Sequence, residues 1–420
     1  MRSVHGWAFI LLAITRAAPV GAQQTDSVAR DSTIETVDPE ADPPRRRLVR
    51  WNEYEGPFFT LRVGAGFLVD YATYAQDDAS KTQVDLAPGF KVRDSRLVLT
   101  GRFKTRRQIT YQAGLMYDGN LDEWLVRQTG VIVAVPEVWG HLWIGRTKEG
   151  PSLNRVMTGY DGWTAERFTF SDAAIPLLAD GIKWLGHLED RHLIWNLGVY
   201  TDWLSEGQSF SYYDHQVAGR VAWVPMVSDT AGKLLHIGAS FRIGKPNEDS
   251  LQLKSKPEAS DAPNFIDTGK FRATSATMLG YEAYYRPGPW LFATEYYVEK
   301  ANSPETGDPF FHGGDVVATW LVTGETRSYN TVGGYFRPVS PRRTVFEGGP
   351  GAVELVLRFS YSDLDGGTVR GGKFWRLTPM VNWHLADYLR LEFAYGYGRL
   401  DRFDLKGNTQ FFQSRFQLEF

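Results

Sequence analysis

The stretch LRLEFAYGYG, Leu389–Gly398, alternates residue by residue between two kinds of side chain. Its odd-numbered positions are Leu, Leu, Phe, Tyr and Tyr, whereas its even-numbered positions are Arg, Glu, Ala, Gly and Gly. Successive side chains of a β-strand point to opposite faces. The stretch therefore predicts a strand with one apolar face and one polar or small-residue face.

The same alternation recurs along the chain from Phe58 onward. Most of these segments are longer than the roughly 5 to 6 residues of a typical soluble strand, and tilted strands of about 9 to 11 residues are what a bilayer core requires. The pattern therefore predicts an all-β transmembrane antiparallel barrel of sixteen strands. The segments begin near residues 58, 91, 107, 125, 138, 180, 191, 213, 233, 274, 289, 313, 351, 372, 387 and 408.

The connections between these segments alternate in length. If the first strand runs outward, the inner connections include the short KTRR, Lys104–Arg107, and the outer ones include the long Thr147–Ala179 and Gly244–Ala273. Short periplasmic turns and longer extracellular loops are typical of outer-membrane barrels. One stretch, Thr326–Pro350, is long yet falls on the inner side. It is either an unusually large periplasmic turn or the mark of a slip in the strand count.

The composition excludes several other classes. The formal net charge is −3, which gives no basic field for binding nucleic acid. The chain has no cysteine, so it has neither disulfides nor thiolate metal ligands. Its eight histidines lie far apart without metal-site spacing, and alternation shows no convincing Ser-His-Asp set. We therefore expect no metal, no cofactor and no enzymatic activity.

The N-terminal residues predict export. Residues 1–22 combine Arg2, the apolar run Trp7–Ile14 and a small-residue cleavage site ending at Ala22, as secretory signal peptides do. Residues 23–50 are acidic and rich in proline, which predicts a disordered periplasmic segment. The barrel domain is then expected over residues 51–420, in the bacterial outer membrane.

The last residues, FFQSRFQLEF (Phe411–Phe420), predict the closing strand. A barrel in lipid leaves no unpaired edge, so its last strand must pair with its first. Alternation turns Phe412, Phe416, Leu418 and Phe420 outward and Arg415 into the lumen. Ser414, the polar member of the outward face, is expected near a subunit contact. The alternative is the closing strand of a soluble β-sandwich, which the signal peptide and the sixteen segments disfavour.

Several motifs resemble the phosphate-selective porin O and P family. They are DSRLVLTGRFKTRRQITYQAGLMYDG from residue 94, GHLWIGRTKEGPSL from 140, AERFTF from 165, VVATWLVTGETRSY from 316 and GAVELVLRFSYSDLDGG from 351. The resemblance implies a sixteen-stranded barrel, usually trimeric, whose third loop folds into the lumen and whose basic residues guide anions. The C-terminal Phe420 resembles the signal read by the barrel assembly machinery.

Two positions depart from the family pattern. The family's Lys-Glu-Pro-Phe pattern appears here as Lys148, Glu149, Gly150 and Pro151, and an arginine expected before the next strand is Ala179. These departures weaken the expectation of selectivity for phosphate. They hardly change the expectation that the protein is a porin.

Alternation places a set of arginines on the polar face of the strands. An arginine facing lipid at mid-bilayer costs about 2 to 4 kcal/mol, so we expect these side chains to line the lumen as a path for anions. The last four come from consecutive strands and would form a staggered basic track down one wall. The alternative is pairing with the lumenal Glu282, Glu295, Glu354, Glu392 and Glu419. The arginines are Arg62, Arg96, Arg102, Arg220, Arg242, Arg358, Arg376, Arg390 and Arg415.

The long connection Thr147–Ala179 is the candidate constriction loop. Folded inward, it would supply charges and rigid aromatic walls at the narrowest point; the alternative is an external lid over the barrel. The residues that would do so are Lys148, Arg155, Tyr160, Trp163, Glu166 and Arg167.

The predicted function is passive diffusion of small solutes through an outer-membrane porin, with anions such as phosphate as the expected solutes. The expected partners are outer-membrane lipid, small anions and two further copies of the chain in a homotrimer. The alternatives are a general or differently selective porin, or a barrel adhesin or enzyme whose loops carry the function.

Overall fold

The computed structural model describes residues 52–203, 212–228 and 232–420. Its main sheet contains 18 strand segments. One of them, Glu53–Glu55, only flanks the first long strand, and two others, Glu123–Val126 and Thr129–Val135, are parts of a single span. The barrel therefore has sixteen spanning strands. The predicted all-β class and strand number are confirmed. The strands are β1 (Phe59–Gln76), β2 (Gly89–Phe103), β3 (Ile109–Asp118), β4 (Glu123–Val126 with Thr129–Val135), β5 (Gly140–Thr147), β6 (Ala179–Leu188), β7 (Leu193–Thr201), β8 (Tyr213–Ser228), β9 (Lys233–Pro246), β10 (Ser275–Pro287), β11 (Trp290–Asn302), β12 (Phe310–Leu321), β13 (Ala352–Gly366), β14 (Val369–Ala386), β15 (Leu389–Arg402) and β16 (Leu405–Glu419).

The sheet closes on itself. Each strand pairs antiparallel with the next, and β16 pairs with β1 in a register that sets Phe416 beside Val69 and Arg415 beside Asp70. Phe412 and Phe416 are exposed on the outer surface, whereas Arg415 is buried inside the barrel. The amphipathic pattern of the last strand therefore distinguishes the outer surface of the barrel wall from its lumenal side, as expected.

The connections and short elements lie at the strand ends. The helices are α1 (Asp78–Gln83), α2 (Leu153–Val156) and α3 (Thr169–Ala174), with 3-10 turns at Pro136–Val138, Glu189–Arg191, Asn247–Asp249, Pro304–Thr306 and Val345–Glu347. Two-residue ribbons join Ser250–Leu251 to Phe271–Arg272, Lys254–Ser255 to Ile266–Asp267, and Tyr329–Asn330 to Tyr335–Phe336.

The strand directions show on which side of the membrane the long connection between β12 and β13 lies. Residues 322–351 join β12 to β13 at the end where the short turns 104–108 and 387–388 lie. The stretch is thus a large turn on the periplasmic side and not a slip in the strand count. Among the described residues, no helix is long and apolar enough to cross a membrane. The predicted signal peptide, residues 1–22, and the acidic segment, residues 23–50, lie outside the described residues.

Candidate solute pathway

The loop between β5 and β6, residues 148–178, folds into the barrel. Its residues reach walls far from its own strands: Ser152 donates to Glu295 of β11 at 2.6 Å, and Trp163 accepts from Asn382 of β14 at 2.9 Å through its carbonyl oxygen. The loop therefore crosses the lumen, and an external lid does not describe it.

Two of the six predicted loop side chains hold the loop together. The Lys148 ammonium donates to the carbonyl oxygens of Val156 and Met157 at 3.0 and 2.6 Å, and Arg155 donates to those of Ser171 and Ile175. Both side chains are nearly fully buried. Their charge compensates the carbonyl ends of short helical turns, so Lys148 is not free to meet a solute.

The aromatic loop residues pack against the wall. Tyr160 lies under the guanidinium of Arg96, 3.9 Å from the ring centroid, and Trp163 packs on Tyr284 of β10 and on Phe336. These buried rings contact β2 and β10, so they fix the loop's position across the lumen and narrow the passage beside it.

The predicted lumenal arginines do lie inside the barrel, but most of them are buried. Arg62 is only partly exposed near the inner end of β1, and Arg102 is exposed at the inner end of β2. The other seven are at most 8% exposed: Arg96, Arg220, Arg242, Arg358, Arg376, Arg390 and Arg415.

The staggered track proposed for β13 to β16 is therefore wrong as an open path. Arg358 binds Glu258 and the carbonyl oxygen of Glu166, and Arg376 donates to that of Pro257 at 2.7 Å. On the last two strands, Arg390 and Arg415 likewise donate to loop carbonyl oxygens. These guanidinium groups anchor loops that fold into the barrel. Alternation along the strands cannot reveal the carbonyl groups of those loops.

The alternative of pairing between lumenal arginines and glutamates is realised in part. Arg220 pairs with Glu282 at 2.8 Å, and Arg390 pairs with Glu392. Glu295, in contrast, is held by neutral donors: the hydroxyl of Tyr297 at 2.9 Å and those of Ser152 and Tyr284. Glu354 pairs with an arginine outside the predicted set, Arg327.

A second outer loop, residues 247–274, also enters the barrel. Its Ser260 binds Asp70 of β1, its Phe265 packs against Phe374 and Phe411, and its Glu258 binds Ser360 of β13 at 2.5 Å. The loop thus lies over the wall formed by β13, β14, β16 and β1, where it covers the predicted arginine track.

The large turn 322–351 enters from the opposite end. Arg327 donates both to Glu354 of β13, at 2.9 Å to each oxygen, and to the carbonyl oxygen of Asp161 in the constriction loop at 2.9 Å. Tyr329 is hydrogen bonded to His236 of β9 at 2.6 Å. The wall from β8 to β13 is therefore packed from below. Because residues 247–274 cover the wall formed by β13, β14, β16 and β1, the space beside β2 to β6 is the candidate passage.

A β-bulge brings one further cation into this passage. The register of β2 against β1 pairs Leu68 with Asp94 but Val69 with Val92, so Arg93 is the extra residue. Bulges re-aim side chains, and Arg93 points inward to Glu166 at 2.8 Å and Asp118 at 3.1 Å. Strict alternation from Arg96 would place Arg93 on the lipid side.

Two lysines meet at the outer mouth of the passage. The ammonium groups of Lys91 and Lys256 donate to the same carbonyl oxygen, that of Ser260, at 3.2 and 2.5 Å. Neither forms an ion pair with a carboxylate among the residues that the structure describes. Burial and the nearby Lys91 lower the pKa of Lys256 to about 8. Two like charges on one acceptor are an arrangement that an anion would stabilise.

The charged loop residues near the lysine pair include both cations and a carboxylate. Arg167 donates to the carbonyl oxygens of Asn154 and Met157, at 3.3 and 3.1 Å. Glu166 accepts from Arg93 and Arg415; although burial raises the pKa of Glu166, these two cations outweigh it and hold that pKa well below its usual range. Glu166 therefore stays ionised and neutralises part of the basic lining.

Sequence reasoning missed Lys91, Arg93 and Lys256. Arg93 is hidden by the bulge, and Lys256 lies in a loop whose inward fold leaves no local signature. Lys91 lies beyond the bulge, where the alternation changes phase. A lysine near a strand end and another in a loop would have been a weak signal, because exposed lysines are common.

A closed sixteen-strand barrel with loops folded into its lumen defines the class of outer-membrane diffusion channels. The model of the family described as phosphate-selective porin O and P matches residues 61–420. The chain belongs to this family, as the sequence motifs predicted, and it is an outer-membrane porin.

Relatives and solved structures agree with the fold. A protein of Caulobacter vibrioides, itself uncharacterized, is 25% identical over 338 residues, which are 76% of this chain and 65% of that protein. The chain thus spans about two thirds of that relative's length. An anion-selective porin from Comamonas acidovorans superposes with a TM-score of 0.54 at 15% identity, covering 86% of this chain and 100% of that one. OmpT of Vibrio cholerae in its trimer form superposes with a TM-score of 0.54 at 11% identity, covering 86% of this chain and 100% of that one.

Proposed function

We propose that this porin conducts small anions, phosphate among them, and that the Lys91 and Lys256 pair is where the anion is first bound. The observation that carries the proposal is the shared Ser260 carbonyl oxygen, which holds two ammonium groups together without a carboxylate partner among the described residues. An oxyanion that bridges the two lysines gains charge-assisted hydrogen bonds from both.

The anion then passes the inward-turned Arg93 and the carbonyl-bound Arg167. Both lie beside carboxylates, so the passage attracts anions without trapping them, as conduction requires. Lys148, at the position of the family's Lys-Glu-Pro-Phe pattern, is occupied by helix carbonyls. Any selectivity for phosphate in this chain must therefore come from the other cations.

The test is block of chloride current by phosphate in planar bilayers. We expect added phosphate to lower the single-channel KCl conductance of the native porin and to have little effect on a Lys91→Gln/Lys256→Gln variant. The matched control is Lys81→Gln, an exposed lysine in α1. Equal block of the native porin and the double variant would refute the lysine pair as the site.

A general porin without anion preference is the second candidate. The observation in its favour is that Asp118, Glu166 and Asp172 line the same passage, and that the Asp172 side chain is 44% exposed. A native porin whose reversal potential shows no preference between potassium and chloride would support it.

We also propose that the functional unit is a homotrimer that needs no cofactor and has no catalytic role. The trimer form of the similarly folded OmpT of Vibrio cholerae supports this assembly. Native mass spectrometry of the detergent-solubilised protein would test it, with three copies expected and a monomer as the contrary result.

A further inference from the structure

The outer surface of the barrel carries a row of charges near the extracellular strand ends. Cross-strand pairing sets His312 of β12, Asp363 of β13, Lys373 of β14, Asp401 of β15 and Lys406 of β16 side by side. All five point away from the lumen. We call them, together with the outward residues Lys300 and Arg399, the headgroup row.

Some of the charges in the headgroup row neutralise one another. Lys373 binds Asp363 at 2.8 Å, and Lys406 binds Asp401 at 3.3 Å. With His312 neutral, these two pairs cancel, so Lys300 and Arg399 leave a surplus of two positive charges. Both side chains are exposed, and neither forms an ion pair within the part of the chain that the structure describes.

The row lies at the border between water and hydrocarbon. Tyr296 and Tyr361 hydrogen bond to His312 and Asp363 at 2.7 and 3.2 Å. One step deeper along the strands, the rings of Trp375 and Tyr397 lie 5.7 Å apart on the outer surface. Aromatic side chains of this kind mark the level of the lipid headgroups. The row therefore meets headgroups and not the lipid chains.

The outward cations that lack an ion pair among the described residues lie in one half of the barrel. On β1 to β9, the outward positions near the extracellular ends are mostly apolar or aromatic, such as Tyr71, Phe90, Ile182 and Val199. The two cations that the register puts on this face are paired: Arg146 of β5 with Asp180, and Lys245 of β9 with Asp214. The girdle of a barrel needs aromatic residues at this level but does not need cations. Cations without an ion pair among the described residues, on β11 and β15, therefore point to a specific partner.

We propose that the headgroup row binds the phosphate groups of an outer-leaflet lipid. Lys300 and Arg399 supply the uncompensated charge, Lys373 and Lys406 supply further donors, and Asp363 and Asp401 hold those donors in place. Arg399 pairs with Trp375 across the strands, so a phosphorylated headgroup at the level of the aromatic band matches the row in charge and in depth. A lipid bound there would cover this half of the barrel and leave β1 to β7 for contacts with neighbouring copies.

The test is binding of lipid A to the purified full-length porin, followed by native mass spectrometry and by titration in detergent. We expect lipid A to bind the native protein and a Lys300→Ala/Arg399→Ala variant to bind it roughly 30-fold more weakly. The charge-conserving Lys300→Arg/Arg399→Lys variant should retain binding. Arg106→Ala/Arg343→Ala, which removes two exposed cations at the opposite rim, should also retain it.

Lipid A without its phosphates separates headgroup recognition from simple contact with acyl chains. We expect it to bind native porin as weakly as phosphorylated lipid A binds the Lys300→Ala/Arg399→Ala variant. Equal binding of both lipids to the native protein, or of phosphorylated lipid A to all variants, would overturn the proposal. Heat-modifiable gel mobility shows that each variant is folded.

Discussion

Arg415 and Asp70 join the last strand of the barrel to the first by two hydrogen bonds. The Nε and Nη2 atoms of Arg415 lie 2.6 Å from the two carboxylate oxygens of Asp70, and both side chains are at least nine-tenths buried. Arg415 also binds Glu166 of the constriction loop. One guanidinium group thus ties the seam of the barrel to the loop that narrows it.

This arrangement predicts a large loss of stability when the arginine is removed. Arg415→Met leaves Asp70 without a cation in a buried site, and such an unpaired charge costs about 3 to 5 kcal/mol. We expect the free energy of unfolding, measured by urea titration in lipid vesicles, to fall by that order. Arg106→Met, an exposed arginine on an inner turn, is the control. Equal stability of the two variants would contradict a structural role for the pair.

The large turn 322–351 predicts a wider channel when it is released. Arg327 holds it to Glu354 and to the constriction loop, so Arg327→Ala should raise the single-channel conductance. Deleting residues 329–336, which carry the two-residue ribbon, should raise it further. Arg343→Ala, in the exposed part of the same turn, is expected to leave the conductance unchanged. A conductance at or below the native value in both altered forms would show that the turn does not obstruct the path.

The low pKa of Lys256 predicts a pH dependence of ion selectivity. Burial, followed by the charge of Lys91, lowers the pKa of Lys256 to about 8, whereas an ordinary lysine titrates near 10.4. The charged form is therefore present below pH 8 and is lost as the pH rises through that value. We expect anion preference to fall between about pH 7 and about pH 9.

Two variants identify the group responsible. Lys256→Arg keeps its charge throughout this range and should remove the pH dependence, whereas Lys256→Gln should show weak anion preference at every pH. A native reversal potential that is constant over the range would rule out titration of this lysine.

Alternation along the strands was enough to predict the barrel, because one face of each strand meets lipid and the other does not. It placed Arg358 and Arg415 inside correctly. It could not show that loop carbonyls occupy them, because the inward fold of residues 247–274 is a tertiary event. Continued to Arg93, strict alternation would also point that side chain to the wrong side, since a bulge shifts the phase by one residue. The candidate site thus depends on two features that strand periodicity does not contain.

The most direct test of the anion pathway is the single-channel reversal potential in a KCl gradient at neutral pH, measured for the native porin and for Lys91→Gln/Lys256→Gln. We expect the native porin to prefer chloride and the double variant to lose most of that preference, with Lys81→Gln unchanged. Cation preference in the native porin, or the same reversal potential in the native porin and the double variant, would contradict the assignment.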